Sequence, residues 1–264
     1  MEGSSACLLF LLLGAVGETP VVSEIACEGR YTHHLQGVAG DGQSCLFWSF
    51  TTELVKTDLQ GNVLCSVKVP FHHGDLCFED NKVYVAYSDF FNKPGADSKL
   101  YVYDGKDLSL LFVEELPEVT FGAGGMDRHK GHLFVIGGLP HEKEQNYVYE
   151  YDEEFRHVKT HIVESGHTHL GIQTACHHQG QWWFGCYTMN KKKGLIRTDE
   201  FFEVLGIYDV SPSIGLVGWG EGRFLMAKHF GEAWQAKLLW MAPDEKEGLV
   251  PWKRDRPATD HQQP

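Results

Sequence analysis

Apolar and polar positions along the chain recur with a period of about 40 to 50 residues, each period carrying the same parts in the same order. A Gly-containing apolar run opens the unit, at residues 34–39, 73–77, 122–126, 171–175 and 214–217. A polar turn follows, holding Gly42, Asn81, Gly131, Gly180 or Gly222. Next comes a hydrophobic strand pattern, at residues 45–48, 83–86, 133–136, 182–185 and 224–227. A third run ends on an aspartate in four units, at Asp58, Asp104, Asp152 and Asp199, with residues 237–240 as the fifth counterpart. Fourth runs lie at 63–69, 110–116, 158–163 and 203–210. The aspartates suit a tight turn, because the carboxylate can accept hydrogen bonds from backbone N–H groups two residues on.

Four short alternating strands per unit predict a small antiparallel sheet, and five such units predict an all-β, five-bladed β-propeller. The rival architecture, a two-sheet sandwich, has no reason to repeat one turn and one aspartate five-fold. The fifth unit lacks a clear fourth strand, whereas residues 21–26 form a strand-like run placed before His33 and His34 much as 63–69 precedes His72 and His73. The N-terminal strand is therefore expected to complete the last blade, which removes two open sheet edges. The expected boundaries are a signal peptide over 1–17, the propeller over 18–241, and a polar, mobile tail over 242–264. The leader reading rests on the apolar run 7–14, too short to span a bilayer, and on the small pair Ala15 and Gly17, although no Lys or Arg precedes it. It implies a secreted or periplasmic protein.

Charge narrows the partners. Lys and Arg number 23 against 36 Asp and Glu, and the formal net charge of −13 opposes nucleic acid. No later segment is apolar for long enough to span a membrane as a helix. A monomer is expected, with a small molecule or carbohydrate as partner. Of seven cysteines, six lie beyond the leader, and their spacing matches no paired C-x-x-C zinc pattern. An oxidising compartment would allow disulfides, without saying which residues pair.

In a propeller the links between blades and the loops joining second to third strands share one face, and ligand sites are built from such loops. On that face His34, His73, His169 and His229 come from four blades and are expected to converge as metal ligands, with Zn, Mn or Fe as the cofactor. Gln36, Gln173, Asp89 and Trp183 are the expected ligand-binding residues. His73, Asp75 and Tyr87 are the expected catalytic group, His73 shuttling protons and Asp75 orienting it or acting as base. Tyr187 offers the same chemistry as Tyr87. Strand alternation lets only one of His33 and His34, and one of His72 and His73, face the axis. A purely structural role, hydrogen bonding to backbone or water, stays open for these histidines. His129, His132, His157, His161, His177 and His178 fall on turns or outer strands and read as surface residues. Gly122 to Gly125 is glycine-rich, but no helix follows to hold a phosphate, so close backbone approach is the expected role. Of Trp182 and Trp183, one is expected to pack between blades; for the other, core packing is favoured over stacking on a sugar. Lys191 to Lys193 reads as a solvated loop charge run.

The phrases His34-Leu-Gln-Gly37, His72-His-Gly-Asp-Leu76, Gly122-Ala-Gly-Gly125, Gly171-Ile-Gln-Thr174 and Trp182-Trp-Phe-Gly-Cys-Tyr187 resemble a group of exported bacterial five-bladed propeller proteins. More distantly, the chain is similar to plant-type glutaminyl cyclases. Gln36-Gly37 and Gly74-Asp75-Leu76 fall loosely at their blade starts, which would place Asp75 as the acting acid, while residues 171–174 lack the acidic pair. Three functions follow as expectations. The first is an exported enzyme that hydrolyses, or β-eliminates from, an extracellular carbohydrate or small ester. The second is a lectin-like propeller without chemistry, and the third a cyclase-like acyltransferase.

Overall fold

A computed structural model describes residues 24–188 and 194–253, so the expected leader and Lys191 to Lys193 lie outside the described residues. The described residues fold as a five-bladed β-propeller without helices. Strand β1 (Glu24–Ala26) comes first. Blade one is β2 (Leu35–Gly40), β3 (Cys45–Phe50), β4 (Glu53–Asp58) and β5 (Val63–Lys68). Blade two is β6 (His73–Glu79), β7 (Lys82–Asp89), β8 (Asp97–Asp104) and β9 (Leu110–Glu115). Blade three is β10 (Ala123–His129), β11 (His132–Gly137), β12 (Asn146–Tyr151) and β13 (His157–Val163). Blade four is β14 (His169–His178), β15 (Gln181–Tyr187), β16 (Leu195–Asp199) and β17 (Val204–Tyr208). Blade five holds β18 (Leu216–Trp219), β19 (Arg223–Phe230), β20 (Gln235–Asp244) and β21 (Gly248–Pro251).

All pairing within blades is antiparallel, and β2, β6, β10, β14 and β18 neighbour one another in a closed ring around the axis. The core is divided into clusters between blades. Trp48, Phe50 and Leu225 share one, Phe134, Trp182 and Phe184 another. Outer strands carry little of it: every residue of β9 is exposed.

The aspartate turns behave as their chemistry predicts. Asp58 Oδ1 accepts N–H bonds from Gln60 at 2.8 Å and Asn62 at 2.9 Å. Asp152 Oδ1 does the same for Glu154 and Arg156, and Asp199 Oδ1 for Phe201 and Glu203. The fifth such residue is Asp244, whose Oδ1 accepts from Lys246 and Glu247, both at 2.8 Å. The polar segment expected from 242 onward thus begins inside the sheet: β20 runs to Asp244 and β21 pairs back on it, Ala242 opposite Val250. The N-terminal strand also closes the last blade, with Ile25 opposite Leu238. The two chain ends therefore lie end to end along one edge of β20, β1 beside 237–239 and β21 beside 241–244. Cys27, Cys45, Cys65, Cys77 and Cys176 form no disulfide. Among the described residues no helix is long and apolar enough to cross a membrane.

Candidate functional site

Four of the five innermost strands share an irregularity near their start: register slips between Leu35 and Gly37, His73 and Leu76, Ala123 and Gly125, and His169 and Ile172. A bulge leaves one residue unpaired and re-aims its neighbours. The bulges ring the upper end of the channel. There a cavity of about 180 Å³ is lined by His34, Gln36, His72, Ser88, Gln173 and Tyr187, with Phe91 and Leu170 as apolar wall. That volume holds on the order of a dozen waters, hence a small ligand rather than a polymer chain. Gln36 and Gln173 are where the sequence puts them. Gln173 Nε2 donates to Leu170 O at 2.9 Å, which fixes the amide and leaves its oxygen unspent by that bond. The Gln36 amide makes a long contact to Thr51 Oγ1, 3.4 Å, and also bonds the His34 side chain.

Asp75 does not line this cavity. It is 2% exposed, and its Oδ2 accepts from Ala175 N at 3.1 Å. Two glycines make room for it: a Cβ on Gly37 would lie 2.2 Å from Asp75 Oδ1, and one on Gly125 would lie 2.8 Å from its Cβ. Burial pushes the Asp75 carboxyl well above the usual range, against the pull of backbone N–H bonds from Ala175, Leu76 and Val38. It packs as a buried strut between blades, with its carboxyl held by backbone N–H groups.

His73 is likewise withdrawn. It is fully buried, with Nδ1 3.0 Å from Pro70 O and Nε2 2.8 Å from Tyr103 Oη. A carbonyl only accepts, so Nδ1 carries the proton and Nε2 accepts from the tyrosine. Burial lowers its pKa to about 4, opposed by the Pro70 bond. Both ring nitrogens are thus committed to protein partners, and His73 does not line the cavity. Its neighbour His72 lines the cavity instead, on a left-handed backbone with φ of 76°. Tyr87 is 8% exposed, stacks edge-on to His73 and donates its hydroxyl to Asp89 Oδ2 at 2.8 Å. Burial first, then that bond, pushes the phenol up to about 12. Tyr87 and Asp89 satisfy each other, and neither lines the cavity.

The remaining expected ligands do not meet. His34 reaches the cavity, and its ring lies 6.5 Å from that of His229, with Trp234 packed on both. His169 is exposed and lines a separate depression with Tyr187, Thr188, Ser211 and Ser213. Trp183 is 3% exposed and packs on Phe224 between blades four and five, under the Arg197 guanidinium, so it offers no stacking face. Sequence reasoning missed His72, Ser88, Phe91 and Leu170 as lining.

The lower end of the channel opens into a second cavity of about 150 Å³ that includes Asp127. Asp127 Oδ2 accepts from His177 N at 2.6 Å and Oδ1 from Arg128 N at 2.8 Å. Burial outweighs these bonds and pushes its carboxyl up to about 7. Of the histidines read as surface residues, only His157 is exposed. His132 and His161 hold the two oxygens of Glu150 at 2.5 and 2.6 Å. His178 packs on Phe224, and His129 and His177 stack on each other between blades.

No family model matches the chain, and no curated protein matches it. Solved structures do match. One is BamB from Moraxella catarrhalis, 11% identical over 82% of this chain and 60% of that one, with a TM-score of 0.38. Another is a protein of unknown function from Bacteroides caccae, 12% identical over 73% of this chain and 69% of that one, with a TM-score of 0.46. A third is the WD40 β-propeller domain of Doa1, 12% identical over 73% and 61%, with a TM-score of 0.45. The chain spans 60% of the BamB chain and 49% of the matched chain of Kuenenia stuttgartiensis hydrazine synthase. The likeness is one of fold and goes no further.

Proposed function

We propose that this protein is a non-catalytic binding propeller whose upper channel mouth holds a small, uncharged, hydroxyl-rich molecule such as a single sugar unit. The observation that carries this reading is the composition of the lining. Among the described residues it presents two imidazoles, two primary amides, a serine and a tyrosine hydroxyl and a phenylalanine face, and no carboxylate, lysine or arginine. Burial, then the nearby His229, lowers the pKa of His34, so that imidazole is neutral near pH 7 and acts as both donor and acceptor. Amides and imidazoles match the alternating donors and acceptors of sugar hydroxyls, while Phe91 and Tyr187 offer apolar faces for a ring.

Turnover needs an acid, base or nucleophile within reach of the ligand. The groups expected to supply it, His73, Asp75 and Tyr87, are committed to protein partners, which leaves the imidazoles of His34 and His72 as the acid–base groups of the lining, with no carboxylate lining the cavity beside them among the described residues. The cyclase-like reading fails on the same ground, since it requires Asp75 to be reachable. Export remains part of the proposal, supported by the apolar run 7–14.

The test is calorimetric titration of purified protein with a panel of neutral monosaccharides, alongside uronic acids and amino sugars. Saturable binding of a neutral sugar that weakens at least tenfold in Gln173→Ala and His72→Ala, without product formation, supports the proposal. Preference for a charged sugar, or turnover that survives in both variants, contradicts it.

A further inference from the structure

At the lower rim of the propeller, away from the channel mouth, three side chains from blades three and four aim at one point. His129 ends β10, His177 lies near the end of β14, and Glu200 sits in the turn after β16. We propose that His129 Nε2, His177 Nε2 and Glu200 Oε1 form a binding site for a first-row divalent cation of the zinc type.

The first support is spacing. Donors at about 2.0–2.1 Å from a tetrahedral ion lie roughly 3.3 Å apart. Glu200 Oε1 is 3.5 Å from His129 Nε2 and 3.9 Å from His177 Nε2, and all three ligand atoms lie within 4.8 Å of one another. The two contacts of Glu200 need to close by only a few tenths of an ångström.

The second support is unspent valence. Both His Nε2 atoms are buried and make no hydrogen bond. A buried polar atom left so costs about 1–3 kcal/mol. The other histidine–glutamate cluster shows the contrast: there His132 and His161 each bond a different oxygen of Glu150 at 2.5 and 2.6 Å, and nothing is left over.

The third support is protonation and rigidity. Burial, and then the His129 ring, lowers the pKa of His177 to about 4, and burial, and then the Lys130 charge, depresses that of His129 against the pull of Glu200, so both imidazoles are neutral ligands near pH 7. The rings stack at 3.6 Å, with Trp182 edge-on to His177 at 5.0 Å. The bond from His177 N to Asp127 pins β14 against β10. Lys130 Nζ lies 3.2 Å from Glu200 Oε2, which leaves Oε1 to the metal, and the lysine side chain is 70% exposed and free to swing away. Two imidazoles and one carboxylate leave a fourth position for water.

The test uses the full chain, stripped with chelator and titrated with Co²⁺, which reports tetrahedral or five-coordinate binding by visible absorption and is displaced by Zn²⁺. One equivalent is expected, weakened at least about tenfold in His177→Ala and in Glu200→Gln. His34→Ala, at the opposite end of the channel, keeps wild-type affinity. Glu200 is partly exposed, so E200Q carries the test if H177A does not fold. A wild-type chain that takes up no Co²⁺ at micromolar concentration, or an E200Q chain that binds as tightly as wild type, overturns the proposal.

Discussion

Asp127 makes the stability of this propeller depend on pH in a direction opposite to most carboxylates. Its folded pKa of about 7 lies above the ordinary aspartate value of 3.8, because burial disfavours the charged form. A raised carboxyl pKa means the native state binds the proton more tightly than the unfolded chain does. The associated stability is fully present below about 3.8, declines as pH rises, and is gone above about 7. Between pH 5 and 7 the difference corresponds to about 2 units, or ~3 kcal/mol at 1.36 kcal/mol per unit. Asp127 faces the lower cavity, where water offsets part of the cost, so about 1–2 kcal/mol should be measured. Asp127→Asn removes the titration. It also sets one amide NH₂ against the N–H of His177 or Arg128, which loses a hydrogen bond worth ~1 kcal/mol at any pH. The variant should therefore be less stable than wild type at pH 5 and equal or more stable at pH 9. Urea denaturation of both chains at pH 5, 6, 7, 8 and 9 measures this. A wild-type-minus-variant difference that stays constant to within about 0.5 kcal/mol over that range refutes the reasoning.

Two further outcomes follow from the packing. Gly37→Ala should destabilise the fold by about 3 kcal/mol or more, since the new Cβ would sit 2.4 Å from the backbone Cα of Asp75, which cannot swing aside; chemical denaturation reads it. Truncation after Asp244 removes β21, leaves part of the β20 edge unpaired and deletes Leu249, which is 4% exposed in the intact fold. Burying one leucine is worth about 2 kcal/mol, so a lowered Tm is expected, and an unchanged one would show that β1 alone closes the ring.

The blades were legible because their signals are local. An aspartate after a third strand accepts the next N–H groups whatever surrounds it, so Asp58, Asp104, Asp152 and Asp199 mark the period unaided. Asp244 carries the same signal, but Pro243 and the charges at 244–247 disguise it as a tail. The site was less legible because it depends on broken periodicity. Strict alternation points to His73, but the left-handed backbone at His72 and the slip before Leu76 send His72 to the cavity and His73 into the wall. Trp183 misleads in another way: β15 is sandwiched by blades on both sides, so both faces of the strand are core and neither tryptophan is spare. The group of His129, His177 and Glu200 has no spacing to read, since only the ring of blades makes neighbours of residues so far apart along the chain.

The central claim is that the upper channel mouth, and not the buried aspartates, is where this protein meets its ligand. The most direct measurement is NMR of ¹⁵N-labelled protein during titration with the sugar that binds in calorimetry. The side-chain amides of Gln36 and Gln173 and the backbone amides of His72, Ser88 and Gly124 should shift together and saturate together. Shifts confined to the lower rim around Asp127 and His177, or none at the mouth while binding is saturated, would contradict the account.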